Sequence, residues 1–213
     1  MTGHSFVHRY RRHLRRSGLN RQLYELDNGN PLRDDFSAEF GIDRWHPVNI
    51  FGYRGLCANS DGLGRIREDI YSLSPDLVIM EIGTNDLVDG TSPSHLHRTI
   101  ETFCLDLFRS SSVRAIVLCQ IVERRRTRGV PRVSFDWNRL DYNNLVQQTA
   151  RNDRRIYVFK HDRSIIVNLN RVGISSDDIH VTSLFGLQLY HLSIRRAVIT
   201  GMNRLRELYP LMN

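Results

Sequence analysis

Nearly continuous runs of apolar residues are the clearest feature of the chain, and they predict buried strands of a sheet. The two strongest runs cover residues 77–82 and 113–121. Apolar runs of this length, without alternation, are typical of parallel strands that are covered on both faces. Two shorter runs, at residues 47–51 and 155–159, predict further strands. We therefore expect several buried strands spaced along the chain.

Apolar positions between these runs recur at the spacing of an α-helix. This periodicity predicts helices over residues 6–17, 63–73, 92–108, 136–152 and 184–208. Ser92 and Pro93 provide the cap and the first-turn proline of the third of these helices. Residues 123–133 are polar and basic, and they predict a loop.

The alternation of strands and helices predicts an α/β fold with a mostly parallel sheet. The chain has 213 residues, which is the size of one domain, so we expect a single domain over residues 1–213. In sheets of this kind ligands bind outside the carboxyl ends of the strands. The residues that directly follow each predicted strand are therefore the first candidates for chemistry.

The net charge of +7 comes mainly from arginine, which is concentrated in residues 9–16 and 123–128. Basic clusters can attract the phosphate backbone of a nucleic acid. They can equally form a solvated basic face that has no specific partner. No zinc-finger or RNA-recognition motif accompanies these clusters in the sequence.

The cysteines and the apolar runs indicate in which cellular compartment the protein is expected. The sequence contains Cys57, Cys104 and Cys119, without the close spacing of a disulfide framework or a metal site. Three free thiols suit a reducing environment, so we expect an intracellular, cytoplasmic protein. No apolar run reaches the length of a membrane span, and no signal peptide is visible. Trp45 and Trp137 are interpreted as packing residues.

Four short segments combine residue types that could carry nucleophilic catalysis. Ser5, in Gly-His-Ser at the head of a predicted helix, would meet free N–H groups that favour an oxyanion. Residues 52–55 (Gly-Tyr-Arg-Gly) follow a predicted strand and offer glycine N–H donors. Asn85, in the Gly-Thr-Asn-Asp after the strongest strand, offers a neutral amide donor. Asp177 and His180 pair a carboxylate with an imidazole, as in the base half of a serine triad.

Each of these segments has an ordinary structural explanation when it is taken alone. Ser5 could serve only as a helix cap, and residues 52–55 could be a simple turn. Residues 83–86 could be an Asx-turn that leads into a helix. The order of the four segments along the chain is more informative than any one of them.

This order resembles the four sequence blocks of the SGNH hydrolase superfamily, also called GDSL-type esterases. The correspondence gives a nucleophile in the first block, a glycine in the second, an asparagine in the third and an Asp-x-x-His pair in the fourth. The matching positions are Ser5, Gly55 (with Gly52 as a rival), Asn85, Asp177 and His180. The resemblance implies a flavodoxin-like three-layer α/β/α fold and the hydrolysis of acyl or acetyl esters.

The resemblance also implies roles for these residues. Ser5, His180 and Asp177 would form the triad, and the oxyanion hole would consist of the Ser5 N–H, the Gly55 N–H and the Asn85 side chain. The expected partner is a small-molecule ester. Neither a metal ion nor an organic cofactor is expected.

The sequence departs from the family pattern in its first block. His4 stands where the family has an aspartate, although that aspartate is not the catalytic carboxylate. The family also has a β-strand immediately before this block, whereas here only Met1 and Thr2 precede Gly3. We therefore expect the first strand to be truncated.

Two other functions are consistent with the same residues. An acyltransferase would use the same triad and pass the acyl group to an alcohol or sugar instead of water. Alternatively, the chain could be a catalytically weak or inactive SGNH-like module that binds nucleic acid through its arginine-rich surface, as in some retrotransposon-encoded proteins.

Overall fold

Within the residues that the structure describes, five parallel strands form one sheet, in the order β2-β1-β3-β4-β5. The computed structural model describes residues 2–3, 48–53, 55–124, 126–127, 129–161 and 184–210. The strands are β1 (Thr2–Gly3), β2 (Phe51–Gly52), β3 (Leu77–Glu81), β4 (Ala115–Cys119) and β5 (Ile156–Phe159). A first strand that lies between the second and the third is the flavodoxin-like arrangement. The predicted α/β fold class is confirmed.

Helices cover both faces of this sheet. They are α1 (Ser60–Leu73), α2 (Thr84–Val88), α3 (Pro93–Ser110), α4 (Arg132–Asn152) and α5 (Leu184–Leu208). Alternate strand residues point to opposite faces. Val78 and Ile116 therefore pack in one core cluster with α1, α3 and α4. Ile79 and Val117 pack on the other face, against α5.

The two strands nearest the N-terminus are short. Thr2–Gly3 forms the first strand, and its two residues pair with both β2 and β3. β2 is also shorter than the predicted run at residues 47–51, since it starts only at Phe51. The helix predicted over residues 6–17 lies outside the described residues.

Helix bounds follow the sequence signals closely in two places. α5 has the predicted bounds, and α3 begins one residue after its expected cap. The Ser92 hydroxyl accepts a hydrogen bond from the N–H of His95 at 3.3 Å, which satisfies one of the free donors in the first turn of α3. The cap predicted at Ser92 is therefore present.

The start of α4 corrects the sequence analysis. This helix begins at Arg132, within the segment 123–133 that was predicted to be a loop. Its first turns carry apolar side chains on the solvent side: Val133, Trp137 and Leu140 are 68%, 70% and 47% exposed. Because these residues do not face the core, the usual apolar signal of a helix start is weak here. Trp137 is also not a packing residue, which contradicts the prediction.

α5 approaches the sheet closely at one glycine. A Cβ atom at Gly201 would lie 2.9 Å from both Leu77 Cδ2 and Val117 Cγ2. Ordinary carbon–carbon contacts are about 3.5–4.0 Å, so even a methyl group would force the helix or these side chains to shift. Gly201 therefore sets the distance between α5 and the sheet.

We expect Gly201→Ala to lower the free energy of unfolding by about 1–3 kcal/mol, because the added methyl group overpacks this contact. Gly64→Ala is the matched control, since that helical glycine in α1 has no heavy atom within 4 Å of a built Cβ. Alanine there should stabilise the protein by roughly 0.5–1 kcal/mol through helix propensity. Urea unfolding of both variants measures the difference, and equal effects would show that the contact at Gly201 is unimportant.

Candidate active site

Residues that follow β2 and β3 meet at the carboxyl edge of the sheet. Gly55 lies in the turn after β2, is exposed and has a φ of +66°. Asn85 and Asp86 lie in α2, directly after β3, and each is only 6% exposed. Because parallel strands end at the same edge, these residues share one side of the molecule.

Two buried hydrogen bonds join the segments that carry these residues. Asn85 Nδ2 donates to the carbonyl oxygen of Leu56 at 3.0 Å. Asp86 Oδ1 accepts from the N–H of Ala58 at 2.8 Å. The side chain of Asn85 is therefore fixed next to the residue that follows Gly55. The turn after β3 and the loop after β2 are held together across the end of β1.

Gly83 allows the turn after β3 to lie where no side chain would fit. Its φ is +105°, which L-residues with a side chain rarely adopt. A Cβ atom at this position would lie 3.0 Å from Ile121 Cδ1 and from Leu96 Cδ2. Both the backbone conformation and the packing thus require glycine, and together they set the direction in which Asn85 enters the site.

The loop after β4 is held by an asparagine that the sequence analysis did not identify. Asn143 of α4 is buried, and its amide makes two hydrogen bonds of 3.0 Å with the backbone N–H and carbonyl of Ile121. Asp86 was missed in the same way, although it stands beside Asn85 in the motif. A polar residue within a helix gives little sign of such a role, because its partner lies 22 residues away in the sequence.

A cavity of about 180 Å³ opens beside Gly55. It lies between the loop after β2 and the first turn of α1, and Tyr53, Cys57 and Arg65 contribute to its walls. The Asn59 side chain caps this end of α1, because its Oδ1 accepts a hydrogen bond of 2.8 Å from the N–H of Gly62. The cavity therefore has a well-ordered wall on its α1 side.

The two buried cysteines are poor alternatives to a serine nucleophile. Burial is the main cause that raises the pKa of the Cys104 thiol, and the charge of Glu101 adds to the effect. Burial likewise raises the pKa of Cys119, with a further contribution from Glu81. Because the thiolate is the reactive form, both side chains are inert at neutral pH. None of the three cysteines forms a disulfide bond, and Cys57 is partly exposed.

The residues predicted from the sequence divide into two groups. Gly55 and Asn85 are described and lie at the same edge, whereas the rival Gly52 is part of β2. The predicted catalytic residues and the residue that departs from the family pattern lie outside the described residues: Ser5, Asp177, His180 and His4. Gly3, the last residue of β1, precedes Ser5 by two positions.

The described part of the second arginine run is not a uniform basic face. Arg124 is buried, with 4% of its surface exposed, whereas Arg126 is exposed. The first run, at residues 9–16, lies outside the described residues.

Among the helices of the described ranges, none combines the length and apolar character needed to cross a membrane. Within the same ranges, no cluster of three or more His, Cys, Asp or Glu side chains could hold a metal ion.

Comparisons with known proteins agree with this architecture. Residues 3–184 match the model of the GDSL-like lipase/acylhydrolase family. A GDSL-like lipase from Bacteroides thetaiotaomicron has a similar structure, with a TM-score of 0.62 and 16% identity over 93% of this chain and 86% of that chain. An acetylxylan esterase from Geobacillus stearothermophilus gives a TM-score of 0.53 and 17% identity, over 71% and 72% of the two chains. A search of curated proteins found no match.

We expect Asp86→Ala to lower the free energy of unfolding by about 1–3 kcal/mol, because it leaves the buried N–H of Ala58 without its acceptor. Asp89→Ala is the matched control. Asp89 is the exposed residue that follows α2, and its side chain accepts a long hydrogen bond of 3.7 Å from the Cys57 thiol, so its removal should change stability by less than about 0.5 kcal/mol. Urea unfolding compares the two variants. A similar small effect at both positions would contradict the role given to Asp86.

Proposed function

Because the chain belongs to the GDSL-like lipase/acylhydrolase family, we propose that it is a serine hydrolase that cleaves acyl or acetyl esters. Ser5 is the proposed nucleophile, and His180 is the proposed general base. Asp177 would orient the imidazole and stabilise its protonated form. The substrate is a small-molecule ester.

The observation that carries this proposal is the fixed amide of Asn85. This side chain is buried at the carboxyl edge, and its nitrogen donates one hydrogen bond to Leu56. An amide nitrogen has two hydrogens, so the second can be donated to a substrate oxygen. The donor is neutral and does not titrate, and its direction is set before the substrate binds. These properties suit the stabilisation of a developing oxyanion.

The proposed reaction has two steps that use the same residues. His180 takes the proton of the Ser5 hydroxyl as its oxygen attacks the ester carbonyl, and the tetrahedral oxyanion is stabilised by Asn85 and the N–H groups of Ser5 and Gly55. The alcohol leaves with the proton from His180, and the acyl group stays on Ser5. Water, activated by His180, then attacks the acyl group and releases the carboxylic acid.

The cavity beside Gly55, one of the proposed oxyanion donors, is small. The adjoining cavity of about 180 Å³ is smaller than the pockets that usually hold drug-sized ligands, which are about 300–1,000 Å³. If the acyl group of the substrate enters this cavity, an acetyl group or another acyl group of a few carbons has a suitable size. We therefore propose short acyl esters as the substrates to test first.

Ser5→Ala should lower the turnover of a short-chain p-nitrophenyl ester by at least about a thousandfold, because no other group supplies the attacking oxygen. Ser94→Ala, which removes an exposed hydroxyl from α3, should leave turnover unchanged. Both variants should unfold at the wild-type temperature. Wild-type activity in Ser5→Ala would exclude the proposed nucleophile.

Asn85→Ala should lower kcat by about 100- to 1,000-fold with little change in KM, because its donor acts mainly in the transition state. Asn143→Ala is the control, since it also removes a buried amide that binds backbone, but after β4. We expect that variant to lose stability and to keep most of its kcat. Equal losses of kcat in the two variants would indicate a structural role for Asn85 instead of a role in the reaction.

A further inference from the structure

Among the described residues, four polar side chains are buried on the α5 face of the sheet, where their neighbours are mostly apolar. Glu81, His161 and Tyr190 are each 4% exposed, and Ser193 is fully buried. Ile79, Val117, Phe159 and Ile194 belong to the same layer. Burying polar groups in such a layer costs free energy unless they are hydrogen-bonded.

These side chains form two hydrogen-bonded pairs, which we call the buried polar pairs. The Tyr190 hydroxyl donates to Glu81 Oε2. His161 Nδ1 and Ser193 Oγ are joined by a hydrogen bond of 2.7 Å. The two pairs are in contact, because the imidazole of His161 lies nearly parallel to the ring of Tyr190, with 6.5 Å between the ring centroids. The rings of His161 and Phe159 are nearly perpendicular, with 5.4 Å between their centroids.

The buried polar pairs connect three elements at the carboxyl edge. Glu81 is the last residue of β3, and it lies beside Gly3 of β1 in the register of the sheet. His161 follows β5 by two residues, and Tyr190 and Ser193 belong to the first three turns of α5. The pairs therefore fix the start of α5 relative to the strand that leads to Asn85.

Apolar side chains would serve the packing of this layer at least as well. Replacing buried polar groups with apolar groups of similar volume is often neutral or stabilising, so stability alone does not explain the buried polar pairs. Hydrogen bonds are directional, so they hold the groups that they join in one relative orientation, which apolar contacts alone do not do. A geometric function is therefore the better explanation at this edge, where Glu81 is four residues from Asn85 in the sequence.

We infer that the buried polar pairs are positioning residues for the reaction: they hold the start of α5 at a fixed distance from the carboxyl ends of β3 and β1. This inference rests on the proposed function, in which His180 precedes α5 by four residues and Ser5 follows β1 by two. A displacement of about 1 Å between reacting groups can cost about 100-fold in rate. The pairs restrict that displacement without touching the substrate.

The test compares two variants that each remove one hydroxyl: Ser193→Ala and Tyr190→Phe. We expect kcat for a short-chain ester to fall about tenfold or more, with less than a twofold change in KM. Ser193→Thr keeps the hydroxyl and should recover most of the lost kcat. Tyr142→Phe is the control, because Tyr142 is equally buried but lies on the opposite face of the sheet. It should keep wild-type kcat.

Amide hydrogen exchange provides a measurement that needs no substrate. In Ser193→Ala and Tyr190→Phe, exchange should become faster in the first three turns of α5 and stay unchanged in β4. Unchanged exchange in α5, or wild-type kcat in both variants, would overturn the positioning role. Failure of the proposed function is recognised separately, by ester turnover that survives in Ser5→Ala. If one of the two variants does not fold, the other decides the question with its exchange and its kcat.

Discussion

The hydrogen bonds between the turn after β3 and the loop after β2 are the constraint on which the carboxyl edge of the sheet depends. β2 and β3 are not neighbours, because β1 lies between them and is only two residues long. Such a short strand contributes few ladder hydrogen bonds, so the sheet alone fixes the two adjoining loops weakly. Asn85 and Asp86 bridge this gap with buried bonds of 3.0 and 2.8 Å. Breaking either bond would leave a buried polar group unsatisfied, so Gly55 and Asn85 keep fixed relative positions.

Buried side-chain hydrogen bonds also hold the loops further along the edge, from β3 to β5. Asn143 holds the loop after β4 by two hydrogen bonds to Ile121, and the buried polar pairs connect the end of β3 to α5. The middle of the sheet is apolar and determines the fold, whereas polar side chains at the strand ends determine where the loops lie. A site built on loops becomes rigid in this way without changing the core that supports it.

Much of the architecture could be predicted from the sequence, because its signals are local. The bounds of α5 follow from periodicity, and the start of α3 follows from Ser92 and Pro93. The start of α4 could not be predicted, because Val133 and Trp137 face solvent and give no sign of a core-facing helix. The hydrogen bonds of the edge could not be predicted either, since they join residues between 22 and 109 positions apart. Motif order alone indicated Gly55 and Asn85, and Ser5, Asp177 and His180 stay predictions.

The position of β1 also has a consequence for the order in which the chain folds. Its Thr2 pairs with Phe51 and Met80, which lie 49 and 78 residues later in the sequence. Closing such long loops costs entropy before any contact compensates for it, so β1 should join the sheet after β3 and β4 have paired. Until that moment the edge of β3 has free backbone donors and acceptors, which another chain could use. The strand that leaves the ribosome before its partners should thus join β3 late, and β2, which pairs with β1, can join the sheet only with it or after it. The arrival of β1 covers the edge of β3 that was open to another chain.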